Sequence, residues 1–391
     1  MVRHLPSPST RTITVSAPTL LQIVPSLAGG GIARATIETA QAVIAAGGSA
    51  IVASPGGALL PELLRHRASH IELPESGHPL WARLTLPRKL VGGLREARVS
   101  LIQSRSPATA WVAQALAGAL GTKWIATLHT PFLASRMLDR LIESRQARAD
   151  AAIAVSEHVA HDARYRFPGL NGRLETISPG INFDRFDPAL VRADRVIKLA
   201  GELRVPDDAL LILCPARFGE DHGQKLLIEA VKRLGRSDVF CLLLGSSNGP
   251  TAFERELERA IEAAELNGRV QIGPYVEDMP AAYMLADVVV STGGARQGFS
   301  RTLVEAQAMG RPVVAEDGGG AAETVRAGVT GWLAPAGDAA ALAEALHGAL
   351  SLSLERRAEL ARAAQEHVRG QYNQAGSTRR LLALYARLMG V

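Results

Sequence analysis

The chain has 391 residues, too many for one ordinary core, so two domains are expected. Hydrophobic residues make up 47% and aromatics only 4%, which excludes a disordered chain and a nucleic-acid binder that works by stacking. The net charge of +5 is uneven: residues 1–190 carry 20 Lys and Arg against 13 Asp and Glu, residues 191–391 carry 23 against 25, and a basic first half is expected to face an anionic partner.

Residues 1–18 are polar and rich in Pro and Ser, without the apolar core of a signal peptide, and read as a lead-in. Leu20–Val24 reads as a strand, Gly29-Gly30-Gly31 as a tight loop, and Ile32, Ile37, Ala40 and Val43 as one face of a helix. Ala50–Ala53, His70–Leu73, Ser100–Gln103, Lys123–Leu128 and Ala151–Val155 follow as short strands separated by helices. Ser156 is a natural N-cap for the next helix. Residues 173–205 look like a junction. The alternation then restarts at Leu210–Leu213 and continues through Val239–Leu244, Val270–Ile272, Val288–Val290 and Pro312–Ala315. Residues 354–388 read as helical throughout. Short buried strands alternating with helices predict two parallel, doubly wound α/β sheets facing a cleft. The expected division is residues 1–182, a linker 183–206, residues 207–371, and a last helix 372–391 crossing back onto the first domain. Cys214 and Cys241 lie in apolar runs without metal spacing, which fits a reducing cytoplasm. No apolar run reaches the roughly 18 residues that span a bilayer.

One stretch dominates the chemistry. Residues 291–310, STGGARQGFSRTLVEAQAMG, follow a buried strand, pass through glycines and enter a helix. Strand, glycine-rich loop and helix N-terminus together favour anions. Glu305 in that helix is placed to hold a hydroxyl pair.

LAGGGIARAT, TLHTPF, IAVSEHV, ISPGINFDRFDP, PARF with HGQKLLIEA, this stretch, VVAEDGGGAAETV and GVTGWLAP stand together in one order. In that order and spacing the chain resembles the retaining GT-B glycosyltransferases of family 4, also called group 1, from about Leu20 to Leu350. The resemblance implies two Rossmann-like domains: an N-terminal one for the acceptor and a C-terminal one for a nucleotide-sugar donor. The donor is a co-substrate; no cofactor and no metal are implied, and no Asp-x-Asp motif is present.

The resemblance carries roles onto residues. Gly30 and Gly31 match the loop lying close to the donor phosphates, His129 the His beside the donor sugar, and Arg217 the Arg that grips the diphosphate. Glu305 matches the second Glu of E-x7-E, which takes the ribose hydroxyls. Gly298, Phe299, Ser300, Arg301 and Thr302 match the lining loop and helix start. Glu323 matches a Glu of mainly structural role. Some positions depart. Gln297 stands where the first Glu of E-x7-E belongs, His222 where a phosphate-binding Lys belongs, Ala33 where Glu is frequent, and Ser300 where Gly is usual. A neutral imidazole at 222 weakens the charge facing a diphosphate. Lys225 is the neighbouring cation that could reach in.

Residues 80–99 combine Trp81, Leu84, Leu86 and Leu90 with Arg83, Arg88, Lys89, Arg95 and Arg98; Arg136, Arg140, Arg145 and Arg148 add a second basic helix. They read equally as a face for a membrane surface or an acidic acceptor and as an ordinary solvated face, and Pro87 argues against one continuous amphipathic helix. The expected activity is transfer of a sugar, UDP-linked, to a glycan or lipid-linked acceptor of the cell envelope, with retention. The expected place is the cytoplasm or the inner face of its membrane, in contact with anionic lipid and not with nucleic acid. The alternative is a degenerate GT-B protein that partners a true transferase.

Overall fold

The structure is a computed structural model that describes residues 18–74, 80–132, 137–245 and 251–390. Residues 1–17 of the lead-in and Arg136 lie outside the described residues, as do the side chains of Trp81, Arg83 and Leu84. The first half runs β1 (Thr19–Ile23), α1 (Gly30–Ala45), β2 (Ser49–Ser54), α2 (Leu60–Arg65), β3 (Ser69–Glu72), α3 (Leu80–Glu96) and β4 (Leu101–Ser104). It continues α4 (Pro107–Leu120), β5 (Lys123–Leu128), α5 (Met137–Ser144), β6 (Ala151–Ala154), α6 (Glu157–Arg166) and β7 (Leu174–Thr176). After α7 (Ala193–Leu203), the second half runs β8 (Leu210–Pro215), α8 (Gln224–Leu234), β9 (Val239–Leu244), α9 (Ala252–Ala263), β10 (Val270–Gly273) and α10 (Met279–Leu285). Then come β11 (Val288–Ser291), α11 (Arg301–Ala308), β12 (Val313–Asp317), α12 (Ala321–Thr324), β13 (Trp332–Pro335), α13 (Ala339–Leu350), α14 (Leu354–Gln371) and α15 (Gln374–Met389).

The strands form two sheets, ordered β3-β2-β1-β4-β5-β6-β7 and β10-β9-β8-β11-β12-β13, with parallel pairing throughout. Parallel strands are covered on both faces, so they are apolar almost without interruption. Leu21 and Ile23 enter the core on one face of the first sheet while Leu20 enters that on the other. Caps explain where several helices start. Ser106 and Thr109 form a capping box, Ser156 accepts from the Val159 N–H as expected, and Thr251 with Glu254 form a second box.

Four expectations change. Residues 173–205 contain the edge strand β7 as well as the helix α7. Residues 332–335 form β13, which the apolar pattern alone did not mark. The tail is two helices, broken at Tyr372 and Asn373, where the Asn373 side chain caps α15 by accepting from the Ala375 N–H. Helix α3 continues through Pro87, with Leu86, Leu90 and Leu94 packed against the core on either side of it. Arg88, Lys89 and Arg95 are exposed on α3 and Arg98 just beyond it, so the described part of α3 presents a basic face opposite a buried apolar one.

The last helix does return to the first sheet. Leu384 and Tyr385 are buried against Leu20, Leu101, Ile125 and Ile153, and the Tyr385 hydroxyl donates to Gln103 Oε1 at 2.7 Å. Burying each such side chain stabilises the fold by about 1.5–3 kcal/mol. The chain therefore crosses between the halves twice. The crossings touch, with the Ile181 N–H donating to the Tyr372 carbonyl at 2.9 Å.

Candidate active site

Each sheet reverses its strand order once, between β1 and β4 and between β8 and β11. Loops leaving the strand ends at such points form the binding crevice of open α/β sheets. Here the loops after β1 and β8 line one cavity of about 170 Å³, bounded further by α1, α10 and α11.

The chain after β1 turns through Gly29 and Gly30, both at positive φ (143° and 82°), and becomes α1 at once. This puts backbone N–H groups and a helix N-terminus at the cavity wall. Arg217 faces them: a Cβ added to Gly30 would lie 3.9 Å from Arg217 Cδ. The Arg217 backbone is held by Gln224, whose Nε2 donates to its carbonyl at 2.8 Å. Four arginines line the cavity. Arg34 pairs with Glu62, Arg185 donates to the Glu277 carbonyl, and Arg301 is locked between carboxylates. Of these four, the Arg217 guanidinium alone has no hydrogen bond or ion pair to the described residues.

Glu305 lies in the same cavity wall, almost buried. The Tyr283 hydroxyl donates to its Oε2 at 2.9 Å, and Arg301 Nε to its Oε1 at 3.3 Å. Burial and the neighbouring carboxylate push the Tyr283 phenol well above its ordinary pKa, so it stays a donor. Arg301 also forks onto Glu38 of α1, with bonds of 2.9 and 2.8 Å to the two carboxylate oxygens. Burial alone would lower the Arg301 pKa, but Glu38 and Glu305 outweigh it and hold the group above its ordinary value. The pair Glu38–Arg301 thus ties the two halves together beside the cavity.

Of the residues singled out in sequence, the cavity brings together Gly30, Gly31, Arg217, Arg301, Thr302 and Glu305. His129 lines a second, smaller cavity of about 70 Å³ at the ends of β4 and β5, and Glu38 lines both. Its Nε2 is buried without a partner among the described residues, and burial together with the nearby Arg105 charge pulls its pKa down to about 3, so the ring is neutral.

The remaining residues of the glycine-rich loop serve other contacts. A Cβ on Gly298 would stand 2.1 Å from the His129 carbonyl, so only glycine lets the loop touch the first half there. Gln297 Oε1 accepts from Ser291 Oγ at 2.9 Å. Ser300 caps α11, accepting from the Leu303 N–H, which gives a physical reason for Ser at that position. Phe299 packs against the cores of both halves and against Tyr372. Glu323 receives the Glu157 and His158 N–H groups at 3.0 and 2.5 Å, capping α6 from the opposite half.

His222 ends a short turn, and its carbonyl accepts from Thr292 Oγ1. Burial first, and then the Arg217 charge, lower its pKa, so the ring beside Arg217 is neutral at pH 7. Lys225 does not reach in: it bridges Glu220 and Glu256 on the outer surface, each at 2.8 Å. Sequence reasoning missed Glu38, Tyr283, Arg34, Arg105 and Arg185. The readable signals were Arg34 and Glu38 one turn apart behind the glycines, and a Tyr whose buried hydroxyl requires an acceptor.

The fold and cleft are those of GT-B glycosyltransferases. A glycosyltransferase of Rickettsia africae superposes with a TM-score of 0.82 at 27% identity, covering 95% of this chain and 98% of that one. Anabaena HepE, solved in complex with UDP and glucose, superposes at 0.83 with 22% identity over 95% of this chain and all of the other. The model described as Glycosyl transferases group 1 matches residues 197–367, and that described as Glycosyltransferase Family 4 matches residues 29–185, so the chain belongs to this glycosyltransferase family. A D-inositol 3-phosphate glycosyltransferase of Xylanimonas cellulosilytica is 34% identical over 56% of this chain and 52% of its own. WcaL of Escherichia coli, named for colanic acid biosynthesis, is 31% identical over 52% of this chain and 49% of its own. The chain thus spans about half the length of the curated relatives it matches.

Proposed function

We propose that the chain transfers a sugar from a UDP-linked donor to a glycan or lipid-linked acceptor of the cell envelope, with retention and without a metal ion or cofactor. One observation carries the reading. An unspent Arg217 faces the Gly30 loop at one part of the cavity, while a carboxylate, Glu305, is held by donors at another. The diphosphate sits between the α1 N-terminus and Arg217, which stabilise the charge it gains as the glycosidic bond breaks. Glu305 takes the ribose hydroxyls, and Tyr283 and Arg301 hold it in place. The departing phosphate accepts the acceptor proton. Arg217 supplies the positive charge that a metal would otherwise give, so chelators should leave turnover unchanged. HepE bound to UDP-glucose supports the nucleotide, and the relative named for colanic acid biosynthesis supports an envelope glycan.

Glu305 carries Tyr283 and Arg301, so alanine there would also disturb packing; glutamine is the cleaner test. Glu305→Gln should weaken UDP binding by about 1.5–3 kcal/mol, the worth of a charge-assisted hydrogen bond. Unchanged affinity in titration calorimetry would remove Glu305 from the nucleotide site.

A place on the inner face of the cytoplasmic membrane belongs to the same reading. Among the described residues no helix is long and apolar enough to cross a bilayer. On α5, Met137 (88% exposed) and Leu141 (46% exposed) stand one turn apart beside the exposed Arg140. The protein should sediment with anionic vesicles at low salt and be released as salt rises, since charges are screened over about 10 Å at 0.1 M. Equal sedimentation with neutral vesicles, or none with either, rejects this.

The neutral His222 and the fully engaged Arg301 favour one rival, a folded partner of a true transferase with little activity of its own. Wild-type protein that binds UDP yet neither hydrolyses nor transfers from any UDP-sugar would select it.

A further inference from the structure

The second cavity holds a buried charge that the donor site does not explain. Arg105, at the end of β4, is only 3% exposed. Its Nε and Nη2 donate to Gln22 Oε1 at 3.0 and 2.8 Å, and Nη2 also donates to Thr39 Oγ1 at 2.7 Å and the Ala35 carbonyl at 3.3 Å. Every one of these acceptors is neutral. The carboxylate lining the cavity is Glu38, and Arg301 takes both of its oxygens. A guanidinium cannot lose its proton to escape burial, and buried charges are ordinarily paired. His129 adds a second open position in the same cavity, an imidazole Nε2 with no partner among the described residues. The space of about 70 Å³ admits several heavy atoms. Glu38 borders both cavities, so this one adjoins the donor site.

We propose that the second cavity is a subsite for an anionic substituent, a carboxylate or a phosphate monoester, carried by one of the two glycosyl substrates, with Arg105 as its charged anchor and His129 as its hydrogen-bond partner. The proposal rests on the transferase reading above. The substituent supplies the ion pair that Arg105 lacks, and it enters beside the point where sugar and acceptor meet. The bonds from Arg105 to Gln22 of β1 and to α1 also brace the fold. Bracing alone needs hydrogen-bond donors, not a charge, and creates no preference between charged and neutral ligands.

Two titrations on the full chain test it. The first compares UDP-glucuronate with UDP-glucose on wild type, Arg105→Gln and Arg105→Lys. The second titrates inorganic phosphate into Arg217→Ala protein, whose diphosphate site lacks its cation, and into the same protein carrying Arg105→Gln. A preference of tenfold or more for UDP-glucuronate that Arg105→Gln abolishes and Arg105→Lys keeps in part places the anion on the donor sugar. No donor preference, with phosphate bound in the second titration and lost with Arg105→Gln, places it on the acceptor. No preference and no phosphate binding overturn the proposal, as does a preference that survives Arg105→Gln. If UDP itself fails to bind, the donor reading falls and the phosphate titration still decides this one. Should Arg105→Gln not fold, His129→Asn replaces it, with a several-fold loss of the same preference expected and no change counting against the proposal.

Discussion

The two loops that leave the switch point of the second sheet do opposite things with their polar groups. The loop after β8 leaves the Arg217 guanidinium without a partner among the described residues, and its side chain faces the Gly30 loop. The loop after β11 has committed its groups: Gln297 to Ser291, Ser300 to the start of α11, Arg301 to Glu38 and Glu305. An unspent charge is available to a ligand at no cost in protein contacts, whereas a spent one must first be released. The first loop is therefore built for binding, and the second, though richer in glycine, largely for joining the halves.

The sharpest way to break this contrast is Arg217→Ala. Removing a donor aimed at developing negative charge should lower donor turnover by ~10²–10³-fold, with a smaller loss of UDP affinity. Equal losses in both would make Arg217 an ordinary binding residue. Next, Glu38→Ala leaves Arg301 without its bidentate partner across the halves. The two side chains keep 11% and 18% exposure, so the cost belongs at the low end for a broken buried pair, about 3 kcal/mol. Urea unfolding should show it, and Arg301→Leu combined with Glu38→Leu should recover much of the loss. A Glu38→Ala protein as stable as wild type would mean that the pair does not hold the halves together.

The smallest effect is expected at His222. Its pKa lies below the ordinary value, so it is already neutral above pH 6.5, and wild-type turnover should not climb as pH falls through that point. His222→Lys adds a cation beside Arg217. That cation is repelled in the empty protein and welcomed by a bound diphosphate, so turnover at pH 8 should rise by about tenfold at most while the empty protein loses stability. A wild-type rate that rises through pH 6.5 would show a protonated, competent imidazole instead. Gln297→Glu should add little, because its amide oxygen already accepts from Ser291.

Much of this was readable beforehand because parallel strands buried on both faces leave unbroken apolar runs, and because Arg217 and Gly30 stand at the ends of such runs. The three-residue strand β7 was not readable: its Leu174–Thr176 sequence lies among turn residues at a sheet edge. Pro87 pointed to a break, yet the packing of Leu86, Leu90 and Leu94 outweighs the roughly 3 kcal/mol that an interior proline costs. Glu38 gave no sign of its role because its partner is 263 positions away. Lys225 lies on a plausible helical face, but Glu220 and Glu256 hold it outside. Arg105 was invisible for the same reason as Glu38: only the folded sheet shows that its acceptors are uncharged.

Helix α15 also sets the order in which the protein can be made. A ribosome releases the first half of the chain long before it polymerises residues 374–389, yet Leu384 and Tyr385 complete the core over Leu20, Leu101, Ile125 and Ile153. Until then that sheet face is open apolar surface, and Gln103 lacks the hydroxyl it will accept. Contacts of such sequence separation form slowly and leave intermediates prone to association. The nascent first half therefore spends most of translation as an incomplete domain, and the last sixteen-residue helix closes it.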